Sequence, residues 1–105
     1  MLAEDRVFRA LADPSRRAIF ETLTKGEAAV RDITPQFKFS QPAVSQHLAV
    51  LREAGLVAER REGRLVYYRV EPKGLRPLVN WITHYQAFWG ERIEGLRKLL
   101  EEMDE

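Results

Sequence analysis

There is no cysteine anywhere in the 105 residues. That one absence excludes disulfides, thiolate nucleophiles and thiolate metal ligands together. No stretch approaches the ~18 to 20 consecutive apolar residues that a membrane span requires. The opening Met1-Leu2-Ala3-Glu4-Asp5-Arg6 has acids where an export signal needs a basic and then an apolar run. A cytoplasmic protein with no membrane partner is therefore expected. Internal repeats, low-complexity tracts and flexible linkers are also missing, so residues 1–105 are expected to form one domain. Net charge is only +1, which argues against binding nucleic acid through bulk charge.

Enzyme signatures are equally scarce. The chain has no glycine-rich phosphate loop, no paired-carboxylate motif and no metal-ligand cluster. Ser45 and His47 lie two residues apart in a helical pattern, so their side chains do not face each other. No enzyme, no catalytic residue, no bound metal and no cofactor are expected.

What is present is patterned. Between Gln41 and Val70 stand Arg52, Arg60, Arg61, Arg64 and Arg69 against Glu53, Glu59 and Glu62. Toward the end the balance reverses, with Glu91, Glu94, Glu101, Glu102, Asp104 and Glu105. A basic centre and an acidic C-terminus suit a phosphate-facing surface set away from a protein-facing one.

The period of the apolar residues then assigns elements. Ala3, Val7, Phe8 and Leu11 share one helical stripe. Asp13-Pro14 reads as an N-cap and first helical residue, opening a second helix with Ile19, Phe20 and Leu23 inward and Lys25-Gly26 as its stop. A short third helix carries Val30, Ile33 and Phe37; Pro35 either lies in its first turn or bends it. In the fourth, Ser40 caps, Pro42 lies in the first turn, and Ala43, Val44, Leu48 and Leu51 form a buried stripe closed by Ala54-Gly55. Two strands, 56–62 and 65–71, flank a turn at Glu62-Gly63-Arg64, and they are expected to form a flap packed on helices. After Pro72, apolar residues recur at Leu75, Leu78, Ile82, Tyr85, Trp89, Ile93, Leu96, Leu100 and Met103, a heptad-like seam on one long helix. Trp81 and Phe88 add an aromatic stripe beside it. So long an apolar face wants a partner chain.

The predicted fold is mainly α with a small β-hairpin wing: a winged helix-turn-helix with a long C-terminal dimerisation helix. Residues 3–25 supply the N-terminal helices, 30–55 the helix-turn-helix, 56–71 the wing and 73–103 the dimerisation helix. In the fourth helix Gln41, Ser45, Gln46 and His47 lie between the apolar positions, short polar side chains able to read base edges in a major groove. On an isolated helix they would be read as merely solvated; an arginine-rich hairpin directly after them favours a DNA-reading role. Arg60, Arg61, Arg64 and Arg69 near the wing tip would meet phosphates or a minor groove, and equally would protect an edge strand by their charge.

Four ordered blocks make the sequence similar to the ArsR/SmtB winged-helix repressors over nearly its whole length. They are Phe8-Arg9-Ala10-Leu11-Ala12-Asp13-Pro14-Ser15-Arg16-Arg17, then Ser40-Gln41-Pro42-Ala43-Val44-Ser45-Gln46-His47-Leu48, then Leu51-Arg52-Glu53-Ala54-Gly55-Leu56-Val57, and Arg61-Glu62-Gly63-Arg64 leading to Tyr67-Tyr68-Arg69. The resemblance implies a transcriptional repressor that binds a palindromic operator in double-stranded DNA as a homodimer. It places Ser40, Gln41, Ser45, Gln46 and His47 on the recognition helix and Arg64 with its neighbours on the wing. It implies a dimer interface from the first and last helices, through Phe8, Leu11, Leu78, Ile82, Tyr85, Phe88, Trp89, Ile93 and Leu96. Family metal sites use cysteines on the third helix, where this chain has Val30-Arg31-Asp32-Ile33-Thr34, or carboxylate and imidazole on the last, where His84 stands with only Asn80 and Glu91 nearby. The expectation is the metal-free subgroup, with Trp81, Tyr85, Phe88 and Trp89 as dimer core or, alternatively, as the lining of a pocket for a small organic effector. The rival function is a winged-helix module that binds protein instead of DNA; it would need exposed apolar residues on the recognition helix.

Overall fold

A computed structural model describes residues 2–103, with the side chains of residues 87–89 outside the described set. Two short helices open the chain, α1 (Ala3–Ala12) and α2 (Pro14–Leu23), with only Asp13 between them. Such a sharp junction exposes helix-end groups that need partners. Asp13 accepts the backbone N–H of Ser15 (2.7 Å) and Arg16 (3.1 Å), capping α2. Arg16 Nε donates to the Ala10 carbonyl (2.7 Å) and an Arg17 Nη to that of Leu11 (2.6 Å), closing α1. The Asp-Pro-Ser-Arg-Arg run is thus a corner. Within α1 the buried residues are Val7 and Ala10, whereas Ala3, expected inward, is exposed.

Strand β1 (Ala28–Ala29) leads into α3 (Val30–Ile33), a single turn that tightens into a 3₁₀ turn at Thr34–Gln36. Pro35 lies in that 3₁₀ turn, so the third helix is shorter than its apolar spacing suggested. Thr34 Oγ1 and Gln36 Nε2 donate to the carbonyls of Val30 (2.8 Å) and Asp32 (3.1 Å), replacing the α-helical partners. Helix α4 (Gln41–Glu53) then starts at the Ser40 cap, whose hydroxyl accepts from Ala43 N (3.3 Å). It ends in a Schellman turn. Leu56 N bonds Leu51 O and Gly55 N bonds Arg52 O, both at 2.9 Å.

Strands β2 (Val57–Glu62) and β3 (Leu65–Val70) form the hairpin. Glu62 pairs Leu65 across a two-residue Gly63-Arg64 loop, and only Gly63 has positive φ (+61°), as a type II′ turn demands. The expected two-stranded flap is a three-stranded antiparallel sheet of order β1-β3-β2, with Ala28 opposite Tyr68 and Ala29 opposite Tyr67. Two alanines carry no strand signal of their own; β3's open edge recruits them.

The last element begins with a 3₁₀ turn at Pro72–Leu75, so α5 runs from Arg76 to Met103 and not from residue 73. Gly74 passes so close to the Gly55 and Leu56 backbone that a Cβ there would collide with the Gly55 carbonyl oxygen. The core gathers Val7 and Ala10 of α1, Ile19 and Leu23 of α2, Ile33, then Val44, Leu48 and Leu51 of α4, with Leu56, Val57 and Tyr68. Among the described residues, helix α5 joins it at its start, through Leu78 after Leu75. No described helix is long and apolar enough to cross a membrane.

Candidate nucleic-acid interface

Burying Val44, Leu48 and Leu51 sets the rotation of α4 and turns Gln41, Ser45 and Gln46 to solvent. Ser40 is exposed too, but its hydroxyl serves as the helix cap. His47 stands apart. It is half-buried, edge-on to Phe39 (6.0 Å between ring centres), which stacks on Phe37 at 5.4 Å. The neighbouring Asp13 carboxyl is held below its ordinary value chiefly by the Arg16 N–H; the Ser15 N–H and the Arg16 charge add to this against opposing desolvation. The polar face of the helix is therefore Gln41, Ser45 and Gln46, with His47 turned toward the helix-turn-helix corner. No large apolar side chain of α4 is exposed.

The wing is braced on both of its faces, because adjacent residues of a strand point opposite ways. On one face Glu59 receives Arg52 of α4 (2.9 Å) and the Tyr68 hydroxyl (3.1 Å). Burial, then this carboxylate, raises the Tyr68 pKa. On the other, Arg60 pairs with Glu27 and with Glu62, each at 2.6 Å, and lies 4.6 Å over the Tyr67 ring. The Glu27 and Glu62 carboxylates push the Arg60 pKa up, and Arg60 pulls that of Glu27 down. Arg60, expected at phosphates, thus has its donors engaged inside the protein. Arg61, Arg64 and Arg69 are exposed.

Between α3, the start of α4 and the wing lies a groove of about 280 Å³, lined by Gln41, Ser45 and Arg64, with Arg31, Val30 and Leu65 among the other walls. It brings together two expected helix residues and one expected wing residue. Arg31 was not among the sequence candidates. The available signal was a cation in the first turn of the helix that precedes the recognition helix.

The third region is α5. Phe8 of α1 meets Trp81 edge-on (5.2 Å), and Trp81 tilts against Tyr85 (4.7 Å). Beyond this, Ile82, Tyr85, Ile93 and Leu96 remain about half exposed, as do Val79, Leu99 and Leu100. Two expected interface residues, Leu11 and Leu78, are partly buried against the chain's own core. Phe88 and Trp89 were also expected in the interface; their side chains lie outside the described residues. A cavity of about 480 Å³ is lined by Trp81, Ile82, Tyr85, Arg92, Ile93 and Leu96. His84 packs edge-on to Tyr85 (5.3 Å), and no group of three potential metal ligands occurs among the described residues.

Known proteins are similar to this chain in sequence and in fold. Residues 13–59 match the family model described as bacterial regulatory protein, arsR family. The transcriptional repressor SdpR of Bacillus subtilis is 33% identical over 81 residues, covering 77% of this chain and 90% of that protein. The HTH-type transcriptional regulator Rv2034 of Mycobacterium tuberculosis is 41% identical over 97 residues, covering 92% and 88%. A crystal structure of a possible transcriptional regulator for arsenical resistance superposes with a TM-score of 0.72 at 38% identity, over 97% of each chain.

Proposed function

The chain belongs to the bacterial arsR family of regulatory proteins, and we propose that it represses transcription as a homodimer on a two-fold operator. It is a DNA-binding transcriptional regulator, of a non-enzymatic class. The observation supporting DNA as the ligand of this surface is the exposed polar face of α4 beside exposed arginines on a braced wing. Gln41, Ser45 and Gln46 read base edges, Arg61, Arg64 and Arg69 meet phosphates, and Ser40 holds the start of α4. His47 acts at the margin, from beside Phe39. A protein-binding use of α4 would want exposed apolar side chains there, and it has none of large size.

The dimer forms along α5, with Phe8 of α1 contributing. Ile82, Tyr85, Ile93 and Leu96 gain from burial what the isolated chain leaves in water. The two recognition helices then stand roughly 34 Å apart, one turn of B-DNA. The cavity beside Trp81 is filled in the dimer by the partner's side chains; an apolar organic effector is the alternative occupant. The 105 residues act as one winged domain in the cytoplasm, with 30–55 and 56–71 facing DNA and the last helix facing the partner.

Selecting bound sequences from a random DNA pool, with the solution mass measured in parallel, tests this reading. A dimer that enriches a palindrome with half-sites about one helical turn apart is the expected result. A monomer, or a protein enriching no sequence, would refute it.

A further inference from the structure

Several of the described arginines are engaged where they stand, whereas others, Arg61 and Arg69 among them, are exposed without an ion pair. Arg16 and Arg17 close α1, Arg52 pairs with Glu59, and Arg60 pairs with Glu27 and Glu62. Arg31 and Arg64 belong to the second group. Both are exposed, and among the described residues neither has a hydrogen bond, ion pair or ring contact. Both line the 280 Å³ groove beside Gln41 and Ser45, and no carboxylate lines it with them. The remaining walls are Ala29, Val30, Leu65 and Val66, which offer no competing side-chain acceptor.

The backbone segments that carry the two arginines are also linked. Arg31 lies two residues after Ala29, which is paired to Tyr67 of β3. The loop just before that strand is tied to the wing by the Glu27–Arg60 ion pair. The backbone that carries Arg31 is thereby tied to the hairpin that carries Arg64, which lowers the cost of bringing both guanidinium groups to one anion. Guanidinium groups suit a phosphate because each can donate two parallel N–H bonds.

Resting on the DNA-binding reading above, we propose that Arg31 and Arg64 form a clamp on a single backbone phosphate of bound DNA, next to the bases read by Gln41 and Ser45. Arg31 is a positioning residue here. It fixes register without reading sequence.

The test measures operator affinity across a salt series for full-length wild type, R31A, R64A and R31A/R64A, on the selected site and on a scrambled duplex. Each single variant should lose about tenfold on both duplexes alike. The slope of log K against log salt should flatten by about 1. Because the phosphate is shared, the double variant should lose little more than either single one. R31K, which keeps charge but not the fork, should recover part of the loss. Both positions are exposed, and unchanged melting of the variants checks that folding is intact. Wild-type affinity in R31A would overturn the clamp, as would single losses that multiply in the double variant. A loss confined to the selected site would also overturn it, by making Arg31 a base reader. Wild type that binds neither duplex would be a separate result, removing the DNA-binding reading and the clamp with it.

Discussion

Gly74 offers the sharpest test of how the long helix is joined to the DNA-binding half. A Cβ added there would meet the Gly55 carbonyl oxygen, its carbon at 2.6 Å and the Leu56 Cα at 3.0 Å. All three are backbone atoms, so no side chain can rotate away. They also belong to the Schellman turn that ends α4 and feeds β2, whose bonds at 2.9 Å resist displacement. The Pro72–Leu75 turn must therefore move outward, taking Leu75 and Leu78 from their packing on the core. Overpacking typically costs ~1 to 3 kcal/mol, and rigid backbone contacts place Gly74→Ala at or above the upper end. The entropy that alanine removes from the unfolded chain offsets at most ~1 kcal/mol. A net loss of about 2 to 3 kcal/mol lowers the melting temperature of a domain this size by roughly 10 to 20 °C. The assay is thermal and urea unfolding at one fixed protein concentration, because the proposed dimerisation would add to apparent stability. A midpoint within a degree of wild type would show that the turn has room, and that the start of α5 is not anchored on the α4–β2 corner.

Three further outcomes are expected. Asp13→Ala should lower the melting temperature at neutral pH by removing the α2 cap; the Asp13 pKa is lowered in the fold, so its contribution is present above about pH 4 and lost as pH falls through the lowered value. The difference between the two melting curves should therefore shrink as pH falls below the ordinary aspartate range, and a gap that does not narrow at all would mean the carboxylate charge is irrelevant. Gln46→Ala should relax sequence preference, costing ~1 to 3 kcal/mol on the selected operator and little on scrambled DNA, as read by competition binding; an equal loss on both would demote it to a phosphate contact. Ile93→Glu, placing a charge on the exposed face of α5, should yield monomers in light scattering and abolish operator binding together, and a variant that stays dimeric would move the interface to another face.

Much of this molecule is legible from local signals. Ser40, Pro42 and the Val44-Leu48-Leu51 stripe announce α4 because capping and a 3.6-residue period are properties of neighbours in the chain. The hairpin shows for the same reason: Gly63 lies between two β-rich runs, and its turn needs only that one positive φ. The exposed seam of α5 follows from spacing alone. The sequence by itself thus determined the types of the longer elements, most of the polar face of α4 and the family. Tertiary structure decided what depends on residues far apart in the chain. Ala28 and Ala29 become a strand only because β3 offers an open edge some 40 residues later. Arg60 is engaged within the chain because Glu27, 33 residues earlier, lies within 2.6 Å. His47 turns to Phe39, Leu78 turns inward, and Gly74 is required by the backbone of Gly55. Arg31 becomes a candidate when folding sets it across a groove from Arg64. A side chain's period tells which face it occupies; what it meets there is set by packing between distant segments, and no local pattern encodes it.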